Sequence, residues 1–446
     1  MSSHIRTETV MLEKMVHGGK ALARLADGQV ALVRGGIPGE RVACEVRVVS
    51  GVWQGDVIEV LDAHEARVPA SAHPGLDYSF MDYDRQRQVK LEVLHDTFAR
   101  SQRSDRKTHT TDATFDVTFP DVIAAPDIWH YRHSVQPAVD PNPVDAKIAH
   151  PKIADTYTLG YRQPDSHEVT VLSEDPVANA HINAWWSIHP PKGVREVVFR
   201  SNQAGEVLVC FVAQASAKHY LDMAHELVRQ GVAGVSYATF DARGRFRQGS
   251  ERLAGKRFLL EQYGAFSVRV TPHSFAQPNP MAATRLYQDL HVLVRGHIPV
   301  NGRVLDLFAG SGIIGFYLAE SAAEIVALEI DTANVNYGKQ AAKQAGLENV
   351  TFVKGDVRHY DLPAAEVICV NPPRGGLAKS VRQRIQASQA KAVCYVSCDM
   401  ATWSRDIAAL QDAGFELVHA QPYDFYPHTH HLEILSLLVR TATNSA

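Results

Sequence analysis

Arg303-Val304-Leu305-Asp306-Leu307-Phe308-Ala309-Gly310-Ser311-Gly312-Ile313-Ile314-Gly315 runs from an apolar strand through a glycine turn into a helix. Glycines at such a turn let the backbone approach a ligand at the helix N-terminus. The spacing Gly310-x-Gly312-x-x-Gly315 satisfies a dinucleotide fingerprint literally, and Glu329 ends the next strand, where a carboxylate can accept both ribose hydroxyls. Two cofactors compete for this pattern: a nicotinamide or flavin dinucleotide, and S-adenosyl-L-methionine. A tight turn with no ligand is the plainer alternative, and the acidic end of the second strand speaks against it.

Outward from this stretch, strands and helices alternate. Further strands are expected over residues 325–329, 350–353, 367–370, 392–397, 415–420 and 432–439. Strands alternating with helices predict a doubly wound, mostly parallel α/β sheet. Upstream, residues 1–62 read as a small OB-like β-barrel with glycine turns at Gly18-Gly19, Gly35-Gly36 and Pro38-Gly39. Such barrels often bind nucleic acid, although a purely structural module fits the pattern equally. A helix is expected from Tyr83 to about Arg103, with a polar loop over 101–112. Residues 125–255 read as α+β, with a hairpin at Ser201–Gly205 and a helix over 217–230. The expected division is 1–62, 63–270 and 271–446.

The chain has 446 residues, 45% hydrophobic and 21% charged, with a net charge of −4. This composition is that of a soluble globular protein, and no apolar run reaches the about 20 residues needed to span a membrane. No secretory signal is evident at the N-terminus, so a cytoplasmic location is expected. The five cysteines are scattered and odd in number, which argues against a disulfide framework or a cysteine-built metal centre. The overall charge does not exclude nucleic acid, because phosphate contacts need only a local basic surface. Arg100, Arg103, Arg106 and Lys107 form one basic cluster; Arg243, Arg245, Arg247 and Arg252 a second; Arg374, Lys379, Arg382 and Arg384 a third. Any one of them reads best as an ordinary solvated face.

Three segments distinguish the cofactors. Asn371-Pro372-Pro373 follows the fourth strand of the sheet, and the prolines make a stiff loop beside the cofactor turn. That loop can present carbonyls and the Asn371 amide to a flat heterocycle. Val393-Cys394-Tyr395-Val396-Ser397-Cys398-Asp399 then places Cys398 at the ligand edge of the sheet. Buried cysteines are usually inert, which is the reading for Cys369 and Cys394. A thiolate at Cys398 can add to C6 of a pyrimidine and make C5 nucleophilic toward a methyl donor. The C5 proton must then leave, and Glu433 in Pro427-His428-Thr429-His430-His431-Leu432-Glu433 is the candidate base. If that segment is extended, His428 and His430 share one face and Glu433 the other, which disfavours a metal site. Phe425 and Tyr426 are candidates to stack on a flipped base, or simply core. A dinucleotide oxidoreductase has no evident need for these three segments together.

These residues resemble the RNA uracil-5-methyltransferase family, which makes 5-methyluridine in ribosomal and transfer RNA. The resemblance spans nearly the whole chain. It implies a Rossmann-like class I methyltransferase domain, a TRAM-like barrel, and an RNA-binding central domain that begins near Trp129-His130-Tyr131-Arg132. By resemblance, Cys398 is the nucleophile and Glu433 the proton acceptor. Gln277 (in Ser274-Phe275-Ala276-Gln277-Pro278-Asn279), Phe308, Gly310 and Glu329 bind S-adenosyl-L-methionine, Asp356 approaches its adenine, and Asn371 lies beside both cofactor and substrate. Members often carry asparagine at the position of Ile313 and aspartate at that of Asn371. Ribosomal members often bind an iron–sulfur cluster through four cysteines; residues 68–81 hold none and Ser173 stands near the fourth position, so no cluster is expected. The fused barrel favours ribosomal over transfer RNA, and a monomer is expected. Methylation of cytosine C5, or an RNA-binding or RNA-folding protein that has lost catalysis, are the alternatives.

Overall fold

The computed structural model describes residues 5–104, 118–143, 157–241, 243 and 246–441. Five strands, β1 (Arg6–Val16), β2 (Lys20–Arg24), β3 (Val30–Arg34), β4 (Arg41–Val49) and β5 (Val52–Asp62), close into a barrel in the order β1-β2-β3-β5-β4. Alternation along the strands turns Val10, Leu12, Ala21, Ala23, Ala31, Val33, Val42, Cys44 and Val46 inward, all buried. Gly55 lets β4 and β5 approach, since a Cβ there would lie 2.7 Å from the Glu45 carbonyl. Glu40 is fully buried beneath the barrel and neutralised by Arg67, with Nε 2.5 Å from Oε1.

Helix α1 (Tyr83–Ser104) leaves the barrel and packs along the C-terminal sheet domain. It includes residues 101–104, which the polar composition had suggested as loop; Gln102 Nε2 donates to Gln411 Oε1 at 2.9 Å and continues the packing there. The rest of that polar stretch lies outside the described residues.

The central region holds β6 (Ser134–Val135), β7 (Ala138–Pro143), β8 (Tyr157–Arg162), β9 (Val169–Val171), α2 (Ala180–Asn183), β10 (Val194–Ser201), β11 (Val207–Ala213), α3 (Leu221–Gln230), β12 (Gly234–Thr239) and β13 (Glu251–Gly255). Its strands run β13-β12-β11-β10-β7-β8-β9, with β6 also on β10. The helix expected from 217 begins as a 3-10 turn over Ala217–Tyr220 and becomes α3 only at Leu221, ending at Gly231 with φ 119°. The cysteine-free linker 68–81 is packed rather than loose. Its His73 is buried with its ring 4.0 Å from that of Tyr161, whose hydroxyl donates to buried Asp175 Oδ2 at 2.5 Å.

After the hairpin β14 (Leu259–Tyr263) and β15 (Phe266–Val270) comes α4 (Pro280–Arg295), capped by Asn279. The last domain alternates as its sequence predicts: β16 (Arg303–Leu307), α5 (Ile313–Leu318), β17 (Glu324–Glu329), α6 (Thr332–Gln344), β18 (Val350–Lys354), β19 (Val367–Val370), α7 (Lys379–Ala387), β20 (Ala392–Ser397), α8 (Met400–Gln411), β21 (Phe415–Tyr423) and β22 (Glu433–Arg440). The order is β18-β17-β16-β19-β20-β22-β21, with β16 to β20 parallel and β22 antiparallel to both neighbours. The winding reverses between β16 and β19, and ligands bind outside the carboxyl ends at such a switch point. Because β22 runs the other way, its first residue, Glu433, lies at the edge where the parallel strands end. No helix among the described residues is long and apolar enough to cross a membrane.

Candidate active site

The glycine turn forms one wall of the crevice. Phe308 leaves β16 with φ 63°, an uncommon conformation for a non-glycine residue, and Gly310 follows with φ 55°. A Cβ on Gly310 would meet no atom within 4 Å, so its backbone faces open space. Gly312, φ 85°, has no such room, because a Cβ there would overlap the Phe352 ring. Glu329 is buried and splits its carboxylate between two backbone donors: Oε2 accepts from Gly310 N at 2.9 Å and Oε1 from Asp331 N at 2.7 Å. Each oxygen keeps a second acceptor site. Beneath the turn, Asp306 Oδ2 accepts from Gly315 N at 3.1 Å, and burial raises the carboxyl to about 7. Asp306 Oδ1 and Gln277 Oε1 are buried and have no hydrogen-bond partner among the described residues.

The other wall carries the reactive groups. Strand register pairs Ser397 of β20 with Ile434 of β22, so Cys398 and Glu433 follow at the same end of adjacent strands. Burial pushes the half-buried Cys398 thiol up to about 11; the Glu433 and Asp399 carboxylates add to this, and Arg374 opposes it. Burial likewise pushes Glu433 up to about 8, again against Arg374. Glu433 is 1% exposed, and its Oε2 has no partner among the described residues. A buried carboxyl with one oxygen left without a partner is unfavourable for folding and suited to proton transfer.

Residues 424–432 are not extended, contrary to the condition under which the histidines were sorted by face. His428 adopts φ 66°, and the chain turns there. Parts distant in sequence hold the turn. Gln86 Oε1 accepts from His428 N at 2.8 Å, Trp129 stacks on the His428 ring at 3.6 Å, and Tyr131 donates to Pro427 O at 3.1 Å. Lys90 and Asp424, both fully buried, pair at 2.7 Å. Asp77 takes His430 Nδ1 at 2.5 Å and its backbone N at 3.0 Å. Burial, then Lys90, drives His428 down to about 4; burial, then His430 and Arg374, drives His431 down to about 3. Neither imidazole is set to exchange protons near neutrality. No group of three or more metal-ligating side chains is found among the described residues. Phe425 is 1% exposed and belongs to the core, while Tyr426 is partly buried against it, with Arg132 6.0 Å from its ring centre.

Comparison with known proteins agrees with this arrangement. Residues 298–396 match a methyltransferase-domain model and residues 354–441 the tRNA (uracil-5-)-methyltransferase model, which takes in both Cys398 and Glu433. The chain thus carries a tRNA (uracil-5-)-methyltransferase domain over residues 354–441. Its relatives include an uncharacterized RNA methyltransferase of Gloeobacter violaceus, 28% identical over 98% of this chain and 97% of that one. Another, from Thermotoga maritima, is 26% identical over 97% and 99%. The fold matches the Pyrococcus abyssi tRNA (uracil-54, C5)-methyltransferase, solved with S-adenosyl-L-homocysteine, at TM-score 0.73, 18% identity, and 96% and 99% coverage.

Of the residues expected to bind cofactor, three lie on the glycine turn or the strand beside it and one at the end of the neighbouring strand. Phe308 and Gly310 form the turn, Glu329 fastens it, and Asn371 follows β19 across the switch point. The orphaned Gln277 oxygen, the open space at Gly310 and the spare acceptor sites of Glu329 fit a ribose and an amino-acid tail. Asp356 fits less directly. Its carboxylate is engaged by Arg358, Nη2 lying 2.6 Å from Oδ2, and that ion pair with the Arg358 backbone N–H holds it at about 2. Sequence reasoning missed Gln86, Lys90 and Asp77, whose only signal was polar residues beside a helical pattern. It also read Arg374 as a solvated face, although Arg374 is the cation that acts on both Cys398 and Glu433.

Proposed function

We propose that this protein methylates C5 of a uracil in structured RNA, and that the target is ribosomal RNA. The observation that carries the reading is Cys398 and the buried Glu433, its Oε2 without a partner among the described residues, at the same end of adjacent strands on the edge that holds the Gly310 turn. The cofactor is S-adenosyl-L-methionine, which supplies an electrophilic methyl group when bound against Gly310, Glu329 and Gln277.

The chain's own residues do the rest. The Cys398 thiol gives its proton to solvent water and, as the thiolate, attacks C6 of a base flipped out of its stack. The S–C6 bond forms, the C5=C6 electron pair becomes available at C5, and C5 would take the methyl group as its bond to the donor sulfonium breaks and leaves a neutral thioether. Glu433, ionised, then takes the C5 proton; the double bond re-forms and the S–C6 bond breaks, returning the thiolate. Arg374 favours the charged forms of both residues. The Asn371 amide offers both a donor and an acceptor to the edge of the base. We assign the barrel to residues 1–62, the linker and central region to 63–270 and catalysis to 271–446. Five unpaired thiols suit a reducing compartment, and we place the protein in the cytoplasm as a monomer.

RNA carrying 5-fluorouracil tests the chemistry. Fluorine cannot leave as a cation, so elimination stalls and a covalent protein–RNA adduct should survive denaturing electrophoresis. No adduct, together with no methylation of any cellular RNA, would leave an RNA-binding protein as the better account. Mapping 5-methyluridine in ribosomal and transfer RNA from cells with and without the gene tests the target. A lost mark in transfer RNA overturns the ribosomal assignment, and a lost 5-methylcytidine overturns uracil.

A further inference from the structure

The tip of the β1–β2 turn, His17-Gly18-Gly19, reaches out of the barrel to the catalytic edge of the C-terminal sheet. His17 Nε2 lies 3.3 Å from Asp399 Oδ2, one residue beyond Cys398. The other Asp399 oxygen caps α8, accepting from Thr402 N at 2.8 Å. Two residues on, Gly19 has φ 79°, and a Cβ there would overlap Asp77 Oδ2 and come within 3.0 Å of His430 Nδ1. His430 belongs to the turn that leads into Glu433. The same tip therefore touches the segment that carries the thiol and the segment that carries the base. Elsewhere the barrel is tied down: Lys14 pairs with Asp96 of α1 at 3.0 Å, and Arg34 lies 3.7 Å from Asp165 of the central region.

We propose that the β1–β2 tip is part of the active site, with His17 a positioning residue that fixes Asp399, and through it Cys398, relative to Glu433. This rests on the assignment of Cys398 and Glu433 as nucleophile and base. The physical argument is one of leverage. β20 and β22 are joined by backbone hydrogen bonds only as far as Ser397 and Ile434. Cys398 and the 424–432 turn lie beyond the ladder, where something else must hold their spacing. Gly19 is bare because two side chains from elsewhere occupy the space of its Cβ. An Ala there would also have to hold a left-handed φ. The His17 side chain is 40% exposed, so its removal need not unsettle the barrel.

The test uses the full chain, total RNA from cells lacking the gene as substrate, and S-adenosyl-L-homocysteine as binding probe. H17A should lower kcat about tenfold, the scale of a sub-ångström misplacement. KM for RNA and affinity for the probe should stay within twofold of the parent by the same argument. H17Q keeps an N–H donor and should recover most of the turnover. G19A should reproduce the H17A defect by lifting the tip. An H17A enzyme with parental kcat, or one that loses only RNA affinity, overturns the proposal and leaves the barrel a binding module. H17Q as slow as H17A also overturns it. Failure here is distinct from failure of the mechanism, since C398A at parental rate sinks the nucleophile assignment whatever H17A does.

Discussion

The cofactor wall runs from Phe308 to Glu329, one strand–turn–helix–strand unit inside one domain. The catalytic wall draws on the barrel tip, the linker at Asp77, helix α1 at Gln86 and Lys90, the central region at Trp129 and Tyr131, and the sheet at Arg374, Cys398 and Glu433. The first wall is closed by its own backbone: Glu329 fastens Gly310, and Asp306 fastens Gly315. The second is held by side chains from segments more than 300 residues apart, as in the Lys90–Asp424 and Gln86–His428 contacts. A ligand cradle can be a local motif because it presents mainly backbone. The proposed nucleophile and base, on two strand ends, need their spacing set from outside. Damage to the first wall should therefore appear as lost cofactor affinity, and damage to the second as lost turnover.

The largest effect expected is at Cys398. C398A should abolish methylation, a loss on the order of a thousandfold or more, and form no adduct with the fluorinated RNA. Its affinity for S-adenosyl-L-homocysteine should be unchanged by calorimetry. A parallel loss of cofactor affinity would break the division between the walls.

Next is Glu433. E433Q should slow turnover by roughly a hundredfold to a thousandfold and accumulate adduct with ordinary uracil RNA, because addition and methylation precede the blocked step. Burial raises this carboxyl from 4.5 to about 8, so between those values the folded chain keeps a proton that the unfolded chain has lost. The stability this contributes is full below about 4.5 and is lost as pH rises through about 8. Gln carries no such loss, so thermal melts should show E433Q gaining on the parent from pH 5 to pH 9. A constant gap would show that Glu433 titrates as an ordinary surface acid. Parental turnover should itself climb with pH through about 8 as the base ionises.

E329A probes the other wall. Losing charge-assisted hydrogen bonds to two hydroxyls should weaken S-adenosyl-L-homocysteine binding about tenfold to a hundredfold. Turnover at saturating cofactor should fall much less. A large kcat defect with intact affinity would mean that the turn also positions the base.

The smallest effect is expected at Trp129. W129A removes the ring stacked on His428 and should reduce kcat by about threefold to tenfold, with cofactor affinity unchanged. If RNA affinity falls and kcat does not, Trp129 is an RNA contact rather than a brace.

Much of this protein could be read before folding. The strands at 303–307, 367–370 and 392–397 are short apolar runs bounded by turns, and the structure places them at the centre of the sheet. The Gly310 turn and Glu329 were legible because glycine spacing and an acidic strand end are local signals. Cys398 stood out because it closes a strand rather than lying within one. Sequence reasoning failed where the geometry is not periodic. Alternation was applied to 428–433, but the positive φ of His428 breaks it. Of the two readings offered for Phe425, stacking on a base or core packing, burial among neighbouring elements favours the core.

The sequence by itself determined the α/β class, the strand ends that face the crevice and the identities of the groups placed there, because hydrophobic period and turn chemistry act over a few residues. Only the tertiary structure decided how wet those groups are and what sets their spacing. Burial raises both Cys398 and Glu433 against the pull of Arg374, and the His17, Asp77, Gln86, Lys90 and Trp129 contacts come from parts of the chain whose separation no local pattern encodes.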